Sequence, residues 1–154
     1  MPAPPERRLY FSYASNMDEA QMADRCPDAR PVDGAMLPDY GIVITSQGYA
    51  NVVESPGDVV FGLLWTISPA DEESLDRYEG VRPGLYRKVE IGVTPIGGKA
   101  VRALIYLATE RTTGSPRPGY LELVVAAARR HRLPEDYIRR LEAWQSARQP
   151  SRGP

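Results

Sequence analysis

The chain has 154 residues, a formal net charge of −1, 42% apolar residues and 25% charged residues. That is the make-up of an ordinary globular domain with a full core, and its mildly acidic balance excludes a general pull toward nucleic acid or an anionic membrane. No apolar run reaches membrane-spanning length, the first residues lack the apolar stretch of a secretory signal, and Cys26 alone excludes an intrachain disulfide, so a reducing cytoplasm is the expected setting.

Residues 1–7 and 148–154 are rich in Pro, Gly, Ser and Arg and are expected as loose tails around one domain spanning 8–147. The first strand is predicted near Arg8 to Tyr13, where Leu9, Phe11 and Tyr13 alternate with Tyr10 and Ser12. Ala14, Ser15 and Asn16 then bring small side chains where the chain must turn, before a helix from about Asp18 to Arg25. Asn16 is the expected N-cap, with Glu19 at capping-box spacing. A strand, a tight turn and a helix start leave several backbone N–H groups without intrahelical partners, an arrangement suited to a carboxylate or a developing oxyanion.

Strands follow at Asp33–Leu37 and Tyr40–Thr45. Asn51–Glu54 and Val59–Ile67 flank Ser55-Pro-Gly-Asp58, where Pro56 and Gly57 suit the centre of a type II turn. Ser68 caps and Pro69 opens a helix that Gly80 stops. Alternation from Tyr86 to Val93 predicts another strand, Pro95 to Gly98 a turn, and Val101, Ala103, Ile105 and Leu107 one face of the next strand. Thr109 to Gly119 reads as a long surface loop. Two helices close the chain at about Tyr120–Arg130 and Pro134–Ala147, the second with Tyr137, Leu141 and Trp144 at helical spacing. Strands in the middle and helices at the flanks give an α+β domain with much antiparallel pairing.

Among the acidic residues, Glu79 stands out by position. It lies four residues after Leu75 and so shares that apolar residue's helix face. It also sits in the last helical turn, where the dipole disfavours a carboxylate. Burial and dipole both raise its pKa, as a general base working near neutrality requires. Position alone favours a solvated glutamate at a frayed helix end, and it is the surrounding segment described below that turns the balance toward catalysis. His131, in the run Ala-Arg-Arg-His-Arg, reads as a structural cation at a helix terminus, and no His or Cys cluster offers a metal site. Cys26, ending a helix before Pro27, is not placed as a catalytic thiol.

Tyr10-Phe-Ser-Tyr-Ala-Ser-Asn-Met17 and Asp76-Arg-Tyr-Glu-Gly80 together resemble the gamma-glutamylcyclotransferase family, which carries a Tyr-Gly-Ser-Asn-Leu-type loop near its N-terminus and a catalytic Glu in a Glu-Gly context. Gly48 to Trp65 is similar to the family's central hairpin, and Ser115 to Tyr120 and Leu133 to Tyr137 to its C-terminal part, so the resemblance runs from about residue 8 to 144. It implies a small closed, mixed β-barrel with helices packed outside. It further implies a cofactor-free reaction on a small-molecule γ-glutamyl substrate, with Glu79 as general base and acid. The loop Tyr10, Phe11, Ser12, Tyr13, Ala14, Ser15, Asn16 and Met17 would bind substrate, with Tyr86 and Tyr120 at the pocket, and no nucleic acid, membrane or metal is implied. A homodimer is left open.

One departure is plain: Ala14 stands where the family loop has Gly, so either φ stays negative here or the loop is strained. Two other readings remain. One is an enzyme acting on a γ-glutamylamine or removing a γ-glutamyl protecting group in natural-product assembly. The other is a non-catalytic binding member of the fold.

Overall fold

The computed structural model describes residues 6–80, 84–110 and 112–147. Five strands, β1 (Arg8–Ser12), β2 (Arg30–Ile44), β3 (Ala50–Ile67), β4 (Tyr86–Pro95) and β5 (Val101–Ala108), close into a barrel in the order β1-β3-β2-β4-β5. All pairs are antiparallel except β1 with β5, which run parallel and meet at Tyr10 and Leu104. Helices α1 (Glu19–Arg25), α2 (Pro69–Glu79), α3 (Tyr120–Arg130) and α4 (Glu135–Ala147) lie outside this sheet, and a single 3₁₀ turn, Ser15–Met17, joins β1 to α1. The fold is the α+β, closed mixed barrel that the sequence leads one to expect. Among the described residues no helix is long and apolar enough to cross a membrane.

Two local expectations are corrected. The strands expected at 33–37 and 40–45 form one strand, as do those expected at 51–54 and 59–67. Ser55 to Asp58 therefore does not end a strand: it is a local turn within β3, opposite the register shift between Pro38 and Tyr40, and Gly57 has φ 84°, as the second central position of a type II turn requires. Asp39 adopts φ 65° there and its carboxylate accepts the Gly57 N–H at 3.0 Å, so the extra residues are pinned without breaking the pairing on either side. The reversal lies at Thr45 to Tyr49 instead, where Thr45 N–H donates to Tyr49 O and Gly48 N–H to Thr45 O.

The second correction concerns the first helix. Asn16 is not its cap; Asp18 is, accepting the Gln21 N–H at 2.9 Å. Asn16 is drawn into the 3₁₀ turn and left 4% exposed, which frees its amide for the site described below. Ser68 caps α2 as expected, with a reciprocal box in which Asp71 supplies the acceptor for the Ser68 N–H. Gly80 ends that helix in the left-handed conformation, φ 68°, which a side chain would strain.

Both faces of β5 are buried: Ala103, Ile105 and Leu107 on one side, Leu104 and Tyr106 on the other. Around the barrel, Leu121, Val124, Ala127 and Ala128 of α3 and Tyr137, Ile138 and Leu141 of α4 join one core cluster with Phe11, Leu64 and Ile67. Phe61 meets Tyr137 edge to face at 5.2 Å. Of the expected N-terminal tail, Glu6 and Arg7 fall among the described residues, and Arg7 donates to the carbonyls of Asp28 and Thr66. Val81 to Pro83, part of the segment carrying the family resemblance, lie outside the described residues.

Candidate active site

A cavity of about 320 Å³ opens where β1, the 3₁₀ turn and the ends of α1 and α2 meet. That is the size of a small-molecule site. Of the residues named from the sequence, Tyr10, Tyr13, Ala14, Ser15, Asn16, Glu79, Tyr86 and Tyr120 line it. Phe11, Ser12 and Met17 do not. The strand's alternation turns Phe11 into the core at 0% exposure, and Met17 is equally buried. Ser12 is also enclosed, accepting from Trp65 Nε1 at 3.0 Å and donating to Leu63 O at 3.2 Å. These three side chains support the loop from behind.

Glu79 is the last residue of α2. Asp71, Leu75 and Glu79 recur every four residues, so they form one stripe toward the barrel, with Asp71 and Leu75 fully enclosed and Glu79 half-buried at the cavity. Asp71 finds partners in the helix cap. Among the described residues the Glu79 carboxylate has no hydrogen-bond partner, and it is the only carboxylate among the residues lining the cavity. Burial pushes its pKa up to about 7, against the opposing pull of Arg25. The helix C-terminus acts in the same direction as burial.

Seven tyrosines line the cavity with this acid, and hydrogen bonds divide four of them. Tyr13 donates to Tyr106 O at 2.7 Å, and Tyr106 donates to Asp76 Oδ1 at 2.6 Å, so both hydroxyl protons are committed within the protein. Tyr10 accepts from Asn16 Nδ2 at 2.9 Å and Tyr120 accepts the Ala50 N–H at 3.0 Å. Each of these two therefore retains its own O–H to donate into the cavity. Burial, and then the nearby Glu79 charge, raise the pKa of Tyr10 and of Tyr86. For Tyr120, burial is likewise the main cause. All three stay protonated donors.

Asn16 is the pivot of the loop. Its Oδ1 accepts from Gln21 Nε2 and from Arg25 at 2.9 Å each, while its amide orients Tyr10. Ser15 Oγ accepts from the same Gln21 side chain at 2.8 Å. Ala14 begins the 3₁₀ turn without a side-chain cap, so the Ser15 and Asn16 N–H groups have no partner inside it. Ala14 itself has φ −139°, which alanine adopts without the penalty of a positive φ. Ala14→Gly is therefore expected to keep activity within a few-fold. Ala14→Val puts a branched side chain into the lining and is expected to raise KM roughly tenfold to a hundredfold. Steady-state kinetics on the two variants checks this, and normal turnover with Val would mean that no ligand approaches the loop backbone closely.

Tyr49 also lines the cavity, as do Gln21, Arg25, Tyr78 and Tyr106, which were not singled out from the sequence. For Gln21 and Arg25 a signal existed: they lie four apart on one helical face, directly after the small-residue loop. Tyr106 occupies the strand face opposite Ile105 and Leu107, and only barrel closure turns that face toward a cavity. The turn that brings Gln47 and Tyr49 to the lining is zipped to the loop that precedes α3. Thr45 bridges Thr113, Ser46 N–H donates to Thr112 O, and Arg117 N–H donates to Gly48 O. The expected long surface loop is thus tied down over the turn, with Tyr49 edge to face on Tyr120 at 5.3 Å.

With a closed five-stranded barrel and one half-buried carboxylate at its cavity, the chain matches the AIG2-like family model over residues 59–141. The chain is 33% identical to the Gamma-glutamylcyclotransferase of Homo sapiens, over 90% of this chain and 79% of that protein. It is 32% identical to the same-named protein of Bos taurus over the same shares. A solved structure described as a Gamma-glutamyl cyclotransferase superposes with a TM-score of 0.85 at 30% identity, covering 96% of this chain and 91% of the other. The chain belongs to the gamma-glutamylcyclotransferase family.

Proposed function

We propose that the protein converts a γ-glutamyl amino acid or amide to 5-oxoproline by ring closure, with Glu79 moving the protons. The observation that carries this reading is a carboxylate without a hydrogen-bond partner among the described residues, raised to a pKa of about 7, in one cavity with the Ala14–Asn16 turn and two tyrosines with protons to donate. In the reaction the substrate's own α-amine bonds to its γ-carbonyl carbon, and the bond to the leaving nitrogen breaks. Glu79 takes a proton from the attacking amine and returns one to the leaving nitrogen, so no water is consumed.

Nucleophile and electrophile belong to one molecule, and holding the folded conformer removes much of the entropic barrier. The negative charge that develops on the γ-oxygen is within the chemistry of the Tyr10 and Tyr120 hydroxyls and the turn N–H groups to stabilise. The cavity's size leaves room for a glutamyl group and a small leaving amine.

Isotope labelling and a blocked substrate test the ring closure. With a γ-glutamyl amino acid in ¹⁸O-water, the expected first product is unlabelled 5-oxoproline. An N-acetylated α-amine is expected to abolish turnover, since the nucleophile is gone. Glutamate as first product, carrying label in its carboxylate, would make the protein a hydrolase even if Glu79 proves essential.

A further inference from the structure

Glu79 has a counterpart in the same cavity. Arg25, the last residue of α1, is the only cation among the residues that line it. Its guanidinium lies 4.4 Å over the Tyr78 ring, and one nitrogen donates to Asn16 Oδ1 at 2.9 Å. A guanidinium has five N–H donors, so most of its edge is unused. Several other cations find carboxylates: Arg8 and Lys88 hold Glu72, Arg129 holds Glu135, Arg130 holds Asp18, and Arg140 holds Asp58, whereas Arg7 and Arg117 are held by carbonyls. Arg25 has no such partner among the described residues, and neither has Glu79. The two stand close enough that Arg25 opposes the rise in Glu79's pKa, yet they form no ion pair.

An unpaired, half-buried cation loses hydration without recovering it from the protein. Here the stack on Tyr78 and the bond to Asn16 hold the guanidinium plane still, which lowers the entropic cost of receiving a planar partner. Two fixed opposite charges, kept apart in one cavity, are complementary to a ligand that itself carries separated opposite charges. A γ-glutamyl amino acid is such a ligand: its α-ammonium must meet the base, and its carboxylates are left to find a cation.

We propose that Arg25 binds a carboxylate of the substrate through the free edge of its guanidinium, forming an anion subsite in the cavity that holds Glu79. The proposal rests on the ring-closing reading above. Two carboxylates share this chemistry, one on the glutamyl α-carbon and one on a leaving amino acid. The glutamyl carboxylate is common to every substrate of the class, whereas the second exists only when the leaving group is an amino acid.

The experiment compares kcat/KM of the wild type and Arg25→Gln on three compounds: γ-glutamyl-alanine, its analogue with an α-carboxamide on the glutamyl group, and γ-glutamyl-ethylamine, which has no leaving-group carboxylate. On γ-glutamyl-alanine the variant is expected to lose roughly tenfold to a hundredfold, the range for a hydrogen-bonded charge. On the compound that lacks the bound carboxylate, the variant's loss is expected to shrink at least about fivefold, the remainder being the share common to all three compounds through Asn16. Convergence on the carboxamide assigns Arg25 to the glutamyl carboxylate, and convergence on the ethylamine compound assigns it to the leaving amino acid. Equal losses on all three overturn the proposal, since Arg25 then serves only to hold Asn16 and Tyr78. If Arg25→Gln does not fold, Arg25→Lys keeps the charge without the planar fork and is read through the same three-way comparison. A wild type that forms no 5-oxoproline from any of the three overturns the ring-closing reading itself.

Discussion

Glu79→Gln is expected to leave a folded protein whose turnover falls by roughly 10²–10⁴-fold, the usual share of a general base. Gln fills the same space and removes only the proton transfer. With the carboxyl raised to about 7, the wild-type kcat/KM should climb with pH through that value as the base form appears. The residual activity of the variant should lack this limb. Stability should move the other way. A carboxyl whose folded pKa exceeds its unfolded value holds its proton more tightly in the native state. Its stabilising effect is complete below the unfolded pKa and disappears as pH rises through about 7. Glu79→Gln should therefore match the wild type near pH 4 and exceed it at pH 8 by roughly 1–3 kcal/mol. Denaturant titrations at the two pH values check this. A near-wild-type kcat in the folded variant would remove Glu79 from the mechanism.

Gly62→Ala is expected to cost about 3 kcal/mol, the upper range for overpacking a closed site. Gly62 lies on β3 where β1 crosses closely, and a Cβ there would run into the Ser12 carbonyl oxygen and come within 2.8 Å of the Phe11 ring. Phe11 has no exposed surface and cannot swing away. Because β1 leads straight into Ala14, the displacement should reach the turn and lower kcat/KM as well. The melting temperature should fall by about 6–12 °C. An unchanged melting temperature would mean that β1 and β3 have slack at this crossing.

Much of this architecture is legible in the chain because local rules and the fold agree. Ser68, Pro69 and Gly80 mark the ends of α2 through capping and backbone conformation alone, and the placement of Glu79 follows from those ends. The β2–β3 hairpin is legible only in part. Pro56 and Gly57 are proper turn residues and Gly57 adopts the positive φ of such a turn, but the pairing of Tyr40 with Glu54 and of Pro38 with Val59 carries the strands past it. Asn16 shows the same limit at the site. Its type suits a cap, and Asp18, two residues later, suits it equally. What decides between them is the hydrogen bonds that Tyr10, Gln21 and Arg25 offer to Asn16, and those exist only once strand and helix have come together.

The parallel seam between β1 and β5 has a kinetic consequence. Tyr10 and Tyr106 pack edge to face across it at 5.9 Å, although nearly the whole barrel sequence lies between them. Contacts between such distant positions bear the largest loop-closure entropy, so they form after the β2–β3 and β4–β5 hairpins, which are local. The cavity straddles the seam, with Tyr10, Tyr13 and Asn16 entering from the first strand's side and Tyr106 from the last. During synthesis, then, a ribosome can have released most of the chain, hairpins included, before any substrate could be recognised. The site is assembled by the final closing of the sheet.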